Sequence, residues 1–335
     1  MSAAPSVWEQ VLKALDRHGR LAMVTLAATR GSSPREAGAR MLVNPDGTFT
    51  GTIGGGTLEW KAITMAQAAL ASATSPKAEA RGFALGPELG QCCGGNVDVI
   101  VEIIENSARA SIAEFAQREA GGVLVTRGRL SPEQGVRREI ADAQMEPGVA
   151  SFVGGVLTEG FGDARRPLYL FGAGHVGRAL IFALAPLPFA VTWLDARADA
   201  LPGFTPGNTT ARTFADPAAE LAAAPDGAFV LVMTHSHQLD LAVVAAALSA
   251  DRFPYVGLIG SKSKRSRFVR MLSSARVPQE RIAALVCPIG IAGVHSKAPP
   301  VIAAATVAEI LARDEALRAE RAPQPSARDS VRRIG

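Results

Sequence analysis

The strongest constraint on the fold is the glycine-rich segment Gly172-Ala-Gly-His-Val-Gly177 in the middle of the chain. A short apolar stretch at 168–171 precedes this segment, a helical pattern follows it, and Asp195 ends the next predicted strand. The order of strand, glycine turn, helix, strand and acid is typical of a βαβ unit that binds a dinucleotide. The sequence therefore predicts such a unit here.

The three glycines of this segment have predicted roles at a phosphate site. Gly172 allows the tight turn, Gly174 lets the backbone approach a ligand, and Gly177 lets the helix pack closely. The helix that begins near His175 adds N–H donors and the positive end of its dipole, so these residues are predicted to hold a phosphate-bearing cofactor. Asp195 suits a ribose hydroxyl, which favours a dinucleotide. The simpler alternatives are that the glycine turn binds nothing, that His175 only begins the helix and that Asp195 only caps the end of a strand.

Strands and helices continue to alternate after this unit. Predicted strands at 229–233 and 255–259 flank a predicted helix at 239–248. Strands that alternate with helices indicate a parallel sheet covered by helices on both faces. The predicted fold class is α/β, with a small N-terminal α/β domain followed by a Rossmann-like, doubly wound domain.

A second predicted anion contact follows the last of these strands. Ligands of doubly wound folds bind at the carboxyl edge of the sheet, where Gly260, Ser261 and Lys262 are expected to lie. The basic run from Lys264 to Arg270 is interpreted as the solvated face of a helix, because isolated charge runs usually have that role.

The segment His235-Ser-His237 follows another predicted strand. Two histidines separated by one residue can bind a single metal ion when the intervening side chain points away. The remaining histidines of the chain are His18, His175 and His295. Because a metallo-hydrolase needs further ligands and a different fold, we favour the alternative that His235 lines the cofactor crevice, with no metal held by a protein cage.

The 335 residues exceed what a single hydrophobic core usually supports, so two domains are expected. Sustained hydrophobic periodicity is lost over 127–166, where only short strands such as 151–157 are expected, and the boundary is placed there. The predicted organisation is an N-terminal domain with its connecting segment over 1–150 and the Rossmann-like domain over 151–312. Residues 313–335, rich in Pro, Ser, Ala and Arg, are predicted to be a disordered tail.

Local sequence patterns predict the first helix and strands of the N-terminal domain. Apolar spacing predicts a helix over 6–17, and a strand is expected at 21–27. The turn Asn-Pro-Asp-Gly separates strands at 40–43 and 48–53, which indicates a hairpin. The hairpin leads into Gly54-Gly-Gly56, a turn that either presents N–H groups to an anion or lets another backbone approach closely.

Composition limits the remaining possibilities. The chain has 48% hydrophobic and 20% charged residues, as expected for a globular protein, and its net charge of +4 does not indicate nucleic-acid binding. No export signal or membrane span is visible, so a cytoplasmic location is expected. The three cysteines, Cys92, Cys93 and Cys287, are too few for a disulfide framework. The adjacent pair is either a reactive thiol on a glycine turn or a half-buried structural thiol.

Seven short motifs occur in order along the chain: Gly31-Ser-Ser-Pro-Arg35, Gly54-Gly-Gly-Thr-Leu-Glu59, Cys93-Gly-Gly95, Gly172 to Gly177, Met233-Thr-His235, Gly257-Leu-Ile-Gly-Ser261 and Pro288-Ile-Gly290. This ordered set, from about residue 10 to 310, resembles the XdhC type of xanthine dehydrogenase accessory protein. Cys93 fits the family pattern, whereas Cys92 is additional.

The resemblance implies a cytoplasmic maturation chaperone rather than an enzyme. Such proteins bind and protect molybdenum cofactor (Mo-molybdopterin), which molybdenum cofactor biosynthesis proteins make. They bring it to a cysteine desulfurase, which exchanges a molybdenum oxygen for sulfur, and insert it into the molybdenum-binding subunit of xanthine dehydrogenase. On this interpretation Cys93 is the candidate contact to molybdenum or to the transferred sulfur.

Two other functional hypotheses remain open at this point. The glycine segment with Asp195 also suits an NAD(P)-dependent oxidoreductase, for which His235 or His237 would be the available proton relay. A scaffold that joins desulfurase and dehydrogenase without holding cofactor is the third possibility. No membrane partner is expected, and a homodimer is expected because isologous dimers are the commonest assembly.

Overall fold

The computed structural model describes residues 6–72, 77–89 and 94–321. The chain divides into two compact units, one formed by Pro5–Ala164 and the other mainly by the residues from Arg165 onward. We call them the N-terminal unit and the C-terminal unit and describe each by itself.

The N-terminal unit combines helices with two antiparallel sheets. Its helices are α1 (Val7–His18), α2 (Gly56–Ala71), α3 (Leu85–Leu89) and α4 (Arg109–Ala120). Its strands are β1 (Arg20–Arg30), β2 (Arg40–Val43), β3 (Phe49–Gly51), β4 (Ala78–Ala84), β5 (Asn96–Glu105), β6 (Leu124–Ser131), β7 (Gly135–Ile140), β8 (Ala150–Val153) and β9 (Val156–Phe161). The first sheet has the order β3-β2-β1-β5-β4, and the second has the order β7-β6-β9-β8.

Local signals account for the first sheet and its helices. The Ser6 hydroxyl accepts a hydrogen bond from the Glu9 N–H and caps α1, and Gly19 ends the helix in a left-handed conformation. The predicted hairpin is confirmed, since β2 and β3 pair antiparallel. Helix α2 buries one face, formed by Leu58, Ala62, Ala66 and Leu70, in the hydrophobic core of this unit.

The second sheet is more regular than the predicted connection over 127–166, for which only short strands such as 151–157 were expected. Strand β6 pairs antiparallel with both β7 and β9, and β8 pairs with β9. The short alternating strands leave a weak sequence signal, and pairing between distant segments holds them together. The division between units, at Ala164 and Arg165, therefore falls later in the chain than residue 150, because β9 is paired with the N-terminal unit.

The C-terminal unit contains a five-stranded sheet with the order β12-β11-β10-β13-β14, and every pairing is parallel. Its strands are β10 (Arg166–Phe171), β11 (Phe189–Asp195), β12 (Thr209–Thr213), β13 (Phe229–Val232) and β14 (Tyr255–Leu258). Its helices are α5 (His175–Leu184), α6 (Pro217–Ala222), α7 (His237–Ser249), α8 (Lys262–Ser274), α9 (Gln279–Ala283) and α10 (Pro299–Arg321). This topology confirms the predicted Rossmann-like fold.

The end of the chain contains more regular structure than the sequence indicates. Helix α10 runs to Arg321, so residues 313–321 are helical rather than part of a disordered tail. Within this stretch the buried Asp314 accepts hydrogen bonds from Arg166 and Arg318, which fixes the helix against β10. Residues 322–335 lie outside the described residues. Among the helices that the structure describes, none has the length and apolar character needed to cross a membrane.

Candidate functional site

The glycine loop between β10 and α5 has the geometry of a phosphate-binding turn. Gly172 adopts a φ of +119°, and an added Cβ there would lie 2.2 Å from the Met233 carbonyl oxygen. A Cβ at Gly177 would lie 2.2 Å from the Gly172 oxygen, whereas a Cβ at Gly174 would meet no atom within 4 Å. The first and third glycines are therefore required by packing, and the backbone at Gly174 is open to a ligand.

We expect Gly177→Ala to lower the free energy of unfolding by about 1–3 kcal/mol, because the new methyl group meets a backbone oxygen that cannot move away freely. Gly174→Ala is the matched control, since its methyl group enters open space and should change stability by less than about 1 kcal/mol. Denaturant unfolding of both variants measures the difference. Equal losses would show that the third glycine is not a packing requirement.

Asp195 is buried at the end of β11, and its carboxylate is fully engaged. Oδ1 accepts hydrogen bonds from the backbone N–H and Nε of Arg197, both at 3.0 Å. Oδ2 accepts from the Ala173 N–H at 2.7 Å and from Arg197 Nη2 at 3.1 Å. Burial opposes ionisation, but these hydrogen bonds outweigh it and hold the pKa of Asp195 below its usual value.

This arrangement bears on the ribose role predicted for Asp195. A carboxylate offers about four lone-pair positions, and four hydrogen bonds from the protein already fill them. A ribose hydroxyl would have to displace the Arg197 side chain. The Arg197 guanidinium, 44% exposed, instead adds positive charge beside the glycine loop, because Ala173 and Arg197 share the same carboxylate. Sequence reasoning missed Arg197, although its position two residues after the acid was visible.

The histidines named from the sequence lie near the same edge of the sheet. His175 is the first residue of α5, His237 is the first residue of α7, and His235 lies in the loop before it. All three are exposed. Within residues 6–72, 77–89 and 94–321, no group of three or more His, Cys, Asp or Glu side chains is arranged to hold a metal ion. The exposed histidines are thus available to a ligand at this edge.

Lys264 departs from the interpretation of a solvated basic run. Its ammonium donates to Asp240 Oδ2 at 2.7 Å and to the Ile259 carbonyl oxygen at 2.9 Å, and its side chain is only 12% exposed. The other oxygen of Asp240 accepts from the backbone and hydroxyl of Thr234. This buried ion pair therefore joins the loop after β13 to the loop after β14. The sequence gives no signal for it, because the partners are distant along the chain.

Gly260, Ser261 and Lys262 follow β14 and are exposed at its carboxyl end. The Ser261 hydroxyl caps α8 by accepting from the Lys264 N–H. Helices α5, α7 and α8 all begin just after neighbouring parallel strands, so their N-termini lie at one edge of the sheet. Each N-terminus carries partial positive charge, and the N–H groups of its first turn have no partner within the helix itself. This edge, with the open Gly174 and the Arg197 guanidinium, is suited to an anionic group.

The glycine turn of the N-terminal unit serves a different purpose. The Glu59 carboxylate accepts hydrogen bonds from the N–H groups of Ile53 and Gly55 and from the Thr52 hydroxyl. These contacts lower the pKa of Glu59 despite its partial burial. The protein thus supplies its own anion to this turn, and an external anion would compete with Glu59.

Three motifs of the N-terminal unit meet at one place, which we call the glycine junction: residues 31–35, 54–56 and 94–95. A Cβ at Gly54 would lie 2.7 Å from the Pro34 side chain, and one at Gly95 would lie 2.3 Å from the Ser32 oxygen. The glycines therefore permit close packing, of the Pro34 side chain against Gly54 and of the Ser32 backbone against Gly95. Cys93 directly precedes this junction in sequence but, like Cys92, lies outside the described residues. The remaining cysteine, Cys287, is buried beside Gly260.

Comparison with known proteins places both units in one family. The model of the XdhC and CoxI family matches residues 14–79, and the model of the XdhC Rossmann domain matches residues 168–310. These two matches lie in separate structural units and follow the order of the motifs along the chain.

Two individual proteins illustrate the relationship. YqeB, an uncharacterised protein of Escherichia coli, is 27% identical over 311 residues, which are 91% of this chain and 46% of YqeB. This chain thus spans about half the length of that relative. A solved structure from Bacillus halodurans, described as a xanthine dehydrogenase, is 21% identical and covers 91% of this chain and 94% of its own, with a TM-score of 0.70. That likeness shows a shared fold. With both domain models matched in order on the two units, the chain belongs to the XdhC family.

Proposed function

We propose that this protein is a maturation chaperone that binds molybdenum cofactor, presents it to a cysteine desulfurase and inserts it into xanthine dehydrogenase. The observation that carries the proposal is the open glycine loop at Gly174 in a chain of the XdhC family. Binding and transfer, rather than turnover, are the roles assigned to this chain. The cofactor would be received from molybdenum cofactor biosynthesis proteins, and we propose a cytoplasmic homodimer.

The phosphate end of the cofactor fits the residues at the carboxyl edge of the C-terminal sheet. Molybdopterin carries a phosphate and no ribose, so the engaged carboxylate of Asp195 is no obstacle to it. The N–H groups at the start of α5, with Gly174 and Arg197 beside them, would hold the phosphate. His175, His235 and Lys262 are exposed at the same edge and would contact the rest of the ligand. When bound, the cofactor supplies the molybdenum centre whose oxygen ligand is exchanged for sulfur.

The direct test is anaerobic purification of the full chain from cells able to make molybdopterin. The preparation is oxidised, and the fluorescent pterin product and molybdenum are measured together. We expect both, in similar molar amounts, and we expect neither from cells blocked in molybdopterin synthesis. Absence of both from anaerobically handled protein would overturn the proposal.

Cys93→Ala is expected to impair maturation of xanthine dehydrogenase more than Cys92→Ala. A thiolate is a soft metal ligand and a good sulfur acceptor, and Cys93 is the cysteine that fits the family pattern. The measurement is dehydrogenase activity per unit of dehydrogenase protein when each variant replaces the wild type. Equal and full activity with both variants would show that neither thiol is needed for maturation.

A second candidate function is binding of NADP by an oxidoreductase, and Arg197 is the observation that favours it. In Rossmann folds an arginine near the end of the second strand accommodates the 2′-phosphate of NADP, whereas a free acid binds the ribose of NAD. Calorimetric titration separates the candidates. On this second reading NADP binds more tightly than NAD, and binding of neither at millimolar concentration rejects this function.

A further inference from the structure

Helix α8 presents a row of positive charges to solvent. Lys262, Arg267 and Arg270 are all exposed. Residues three or eight positions apart lie on the same side of a helix, so Arg270 shares one face with Lys262 and with Arg267. Phe268 and Leu272 are buried in the hydrophobic core on the opposite side. We call Lys262, Arg267 and Arg270 the α8 basic face.

The acids around this face leave its charge unbalanced. Helix α8 contains no Asp or Glu, and the two helices packed against it, α7 and α9, contain one acid each. Asp240 of α7 is buried and paired with Lys264, and Asp251, in the loop after α7, is paired with an arginine of α9. Glu280 of α9 is exposed. In the part of the chain that the structure describes, no ion pair joins a carboxylate to the α8 basic face or to the half-buried Arg265 beside it.

The positions of these charges oppose the stability of the helix. Lys262, Lys264 and Arg265 are among its first four residues, where no acid accompanies them, and its last turn has no basic residue. The N-terminus of a helix carries partial positive charge, so cations are favourable at the other end. Arg267 and Arg270 are also neighbours on the helix surface and repel each other. Because helix stability does not favour this arrangement, it indicates a surface that meets negative charge.

The extent of the positive surface decides which negatively charged partner is suitable. Of the 35 basic residues of the chain, five lie in α8, so the rest of the chain has 30 basic and 31 acidic residues. A nucleic acid is charged along its whole length and would extend past α8 onto surfaces with no excess of positive charge. A membrane-binding helix needs an apolar face, but Phe268 and Leu272 lie in the core, which leaves mainly Met271 exposed. A local acidic segment of a folded protein therefore fits best.

The surroundings of the α8 basic face suit close contact with a protein. Four serines are exposed on the same side of the helix: Ser263, Ser266, Ser273 and Ser274. Their small side chains leave the longer basic side chains accessible and let a partner approach the helix. Lys262 follows β14 at the carboxyl edge of the sheet, which is the edge proposed for the cofactor. A protein bound along this face therefore lies beside that edge.

We propose that the α8 basic face docks a carboxylate-rich surface segment of the protein that receives the cofactor. Under the proposed function, on which this choice of partner rests, that protein is xanthine dehydrogenase. Arg267 and Arg270 attract and orient the partner, and Lys262 lies at the end of the face that adjoins the cofactor edge. Attraction between opposite charges mainly raises the rate of association, so this rate is the quantity to measure.

The test compares the full chain with an Arg267→Glu, Arg270→Glu double variant. Association with purified xanthine dehydrogenase is measured with both proteins taken from cells blocked in molybdopterin synthesis, so that no cofactor is needed for binding. The matched control is Arg127→Glu, Arg129→Glu, which makes the same change of charge on β6, where both arginines are exposed. Denaturant unfolding checks that each variant is folded as the wild type is.

We expect the α8 variant to associate at least about tenfold more slowly than the wild type at low salt, and the β6 control to stay within about twofold. The difference should disappear near 1 M salt, where charges are screened within about 3 Å. An Arg267→Gln, Arg270→Gln variant, which removes the charge without reversing it, should give an intermediate rate.

Two outcomes would overturn this inference and leave the proposed function intact: a wild-type rate for the folded α8 variant, or an equal loss of rate in the β6 control. A wild-type chain that does not bind xanthine dehydrogenase would also overturn it, and co-purified pterin then decides separately whether the cofactor role stands. Tighter binding to a short DNA duplex or to phosphatidylserine vesicles than to the dehydrogenase, lost in the α8 variant, would assign the face to a nucleic acid or a membrane instead.

Discussion

Glu159→Gln is expected to lower the free energy of unfolding of the N-terminal unit by about 3–5 kcal/mol. Glu159 is fully buried and accepts from both Arg40 and Arg138, so its loss leaves Arg138 with Glu102 as its carboxylate partner and removes the carboxylate to which Arg40 donates. Glutamine keeps the shape of the side chain, but it carries no charge, and its amide N–H₂ group would face an N–H donor of an arginine. The cost therefore reflects lost charge rather than a cavity. Denaturant unfolding of the wild type and the variant measures this loss.

The same residue predicts a dependence on pH. Burial opposes ionisation of Glu159, but the two arginines outweigh it and hold its pKa below the ordinary 4.5. A lowered pKa in the folded state stabilises the protein above pH 4.5, and this contribution is lost as the pH falls through the folded value. The difference in the free energy of unfolding between the wild type and Glu159→Gln should thus be greatest near neutral pH and become smaller in acid.

Glu139→Gln is the matched control for Glu159→Gln. Glu139 lies on β7 in the same sheet, but it is exposed and forms no part of the buried network of Arg40, Glu102, Arg138 and Glu159. Its replacement should change stability by less than about 0.5 kcal/mol at any of these pH values. A loss of similar size in both variants, or a loss below about 1 kcal/mol for Glu159→Gln, would show that the network contributes little.

Sequence patterns predicted the C-terminal fold because its signals are local. The glycine turn, the strands around it and the helix that follows it lie within one short stretch, and the three glycines lie in the geometry that the pattern predicts. The roles of individual charges were less accessible. Asp195 was expected to face a ribose, but its carboxylate is occupied by Arg197. Lys264 was assigned to solvent, but it is paired with Asp240 from a different helix.

The N-terminal unit shows the same limit more strongly. Its buried network joins Arg40, Glu102, Arg138 and Glu159, which are far apart in sequence and come together only through two sheets. Isolated charged residues in weakly periodic strands are typical of an exposed surface, so no sequence pattern distinguished these four. The roles of Cys93 and of the cofactor-binding residues stay predictions, because they depend on a ligand and on partner proteins.

Gly174→Leu is expected to reduce the pterin that co-purifies with the full chain by at least about tenfold while the protein stays folded. Gly174 has a φ of −74°, which any residue can adopt, and no atom lies within 4 Å of an added Cβ. The leucine side chain would therefore occupy the space that a ligand phosphate needs, and even a penalty of about 1.4 kcal/mol changes affinity tenfold. Replacing the glycine at the N-cap of α5 should cost about 1 kcal/mol of stability or less.

Gly207→Leu separates this effect from that of adding a leucine to the same unit. Gly207 is also surrounded by open space, but it precedes β12 and so lies toward the opposite, amino edge of the parallel sheet. The Gly207→Leu variant should retain pterin at the wild-type level. If Gly174→Leu also retains pterin, the phosphate binds elsewhere, although a chaperone role survives. If wild-type protein holds pterin but Gly174→Leu holds none and still matures xanthine dehydrogenase fully, then this chain joins its partners as a scaffold, and the bound cofactor is not the one it delivers.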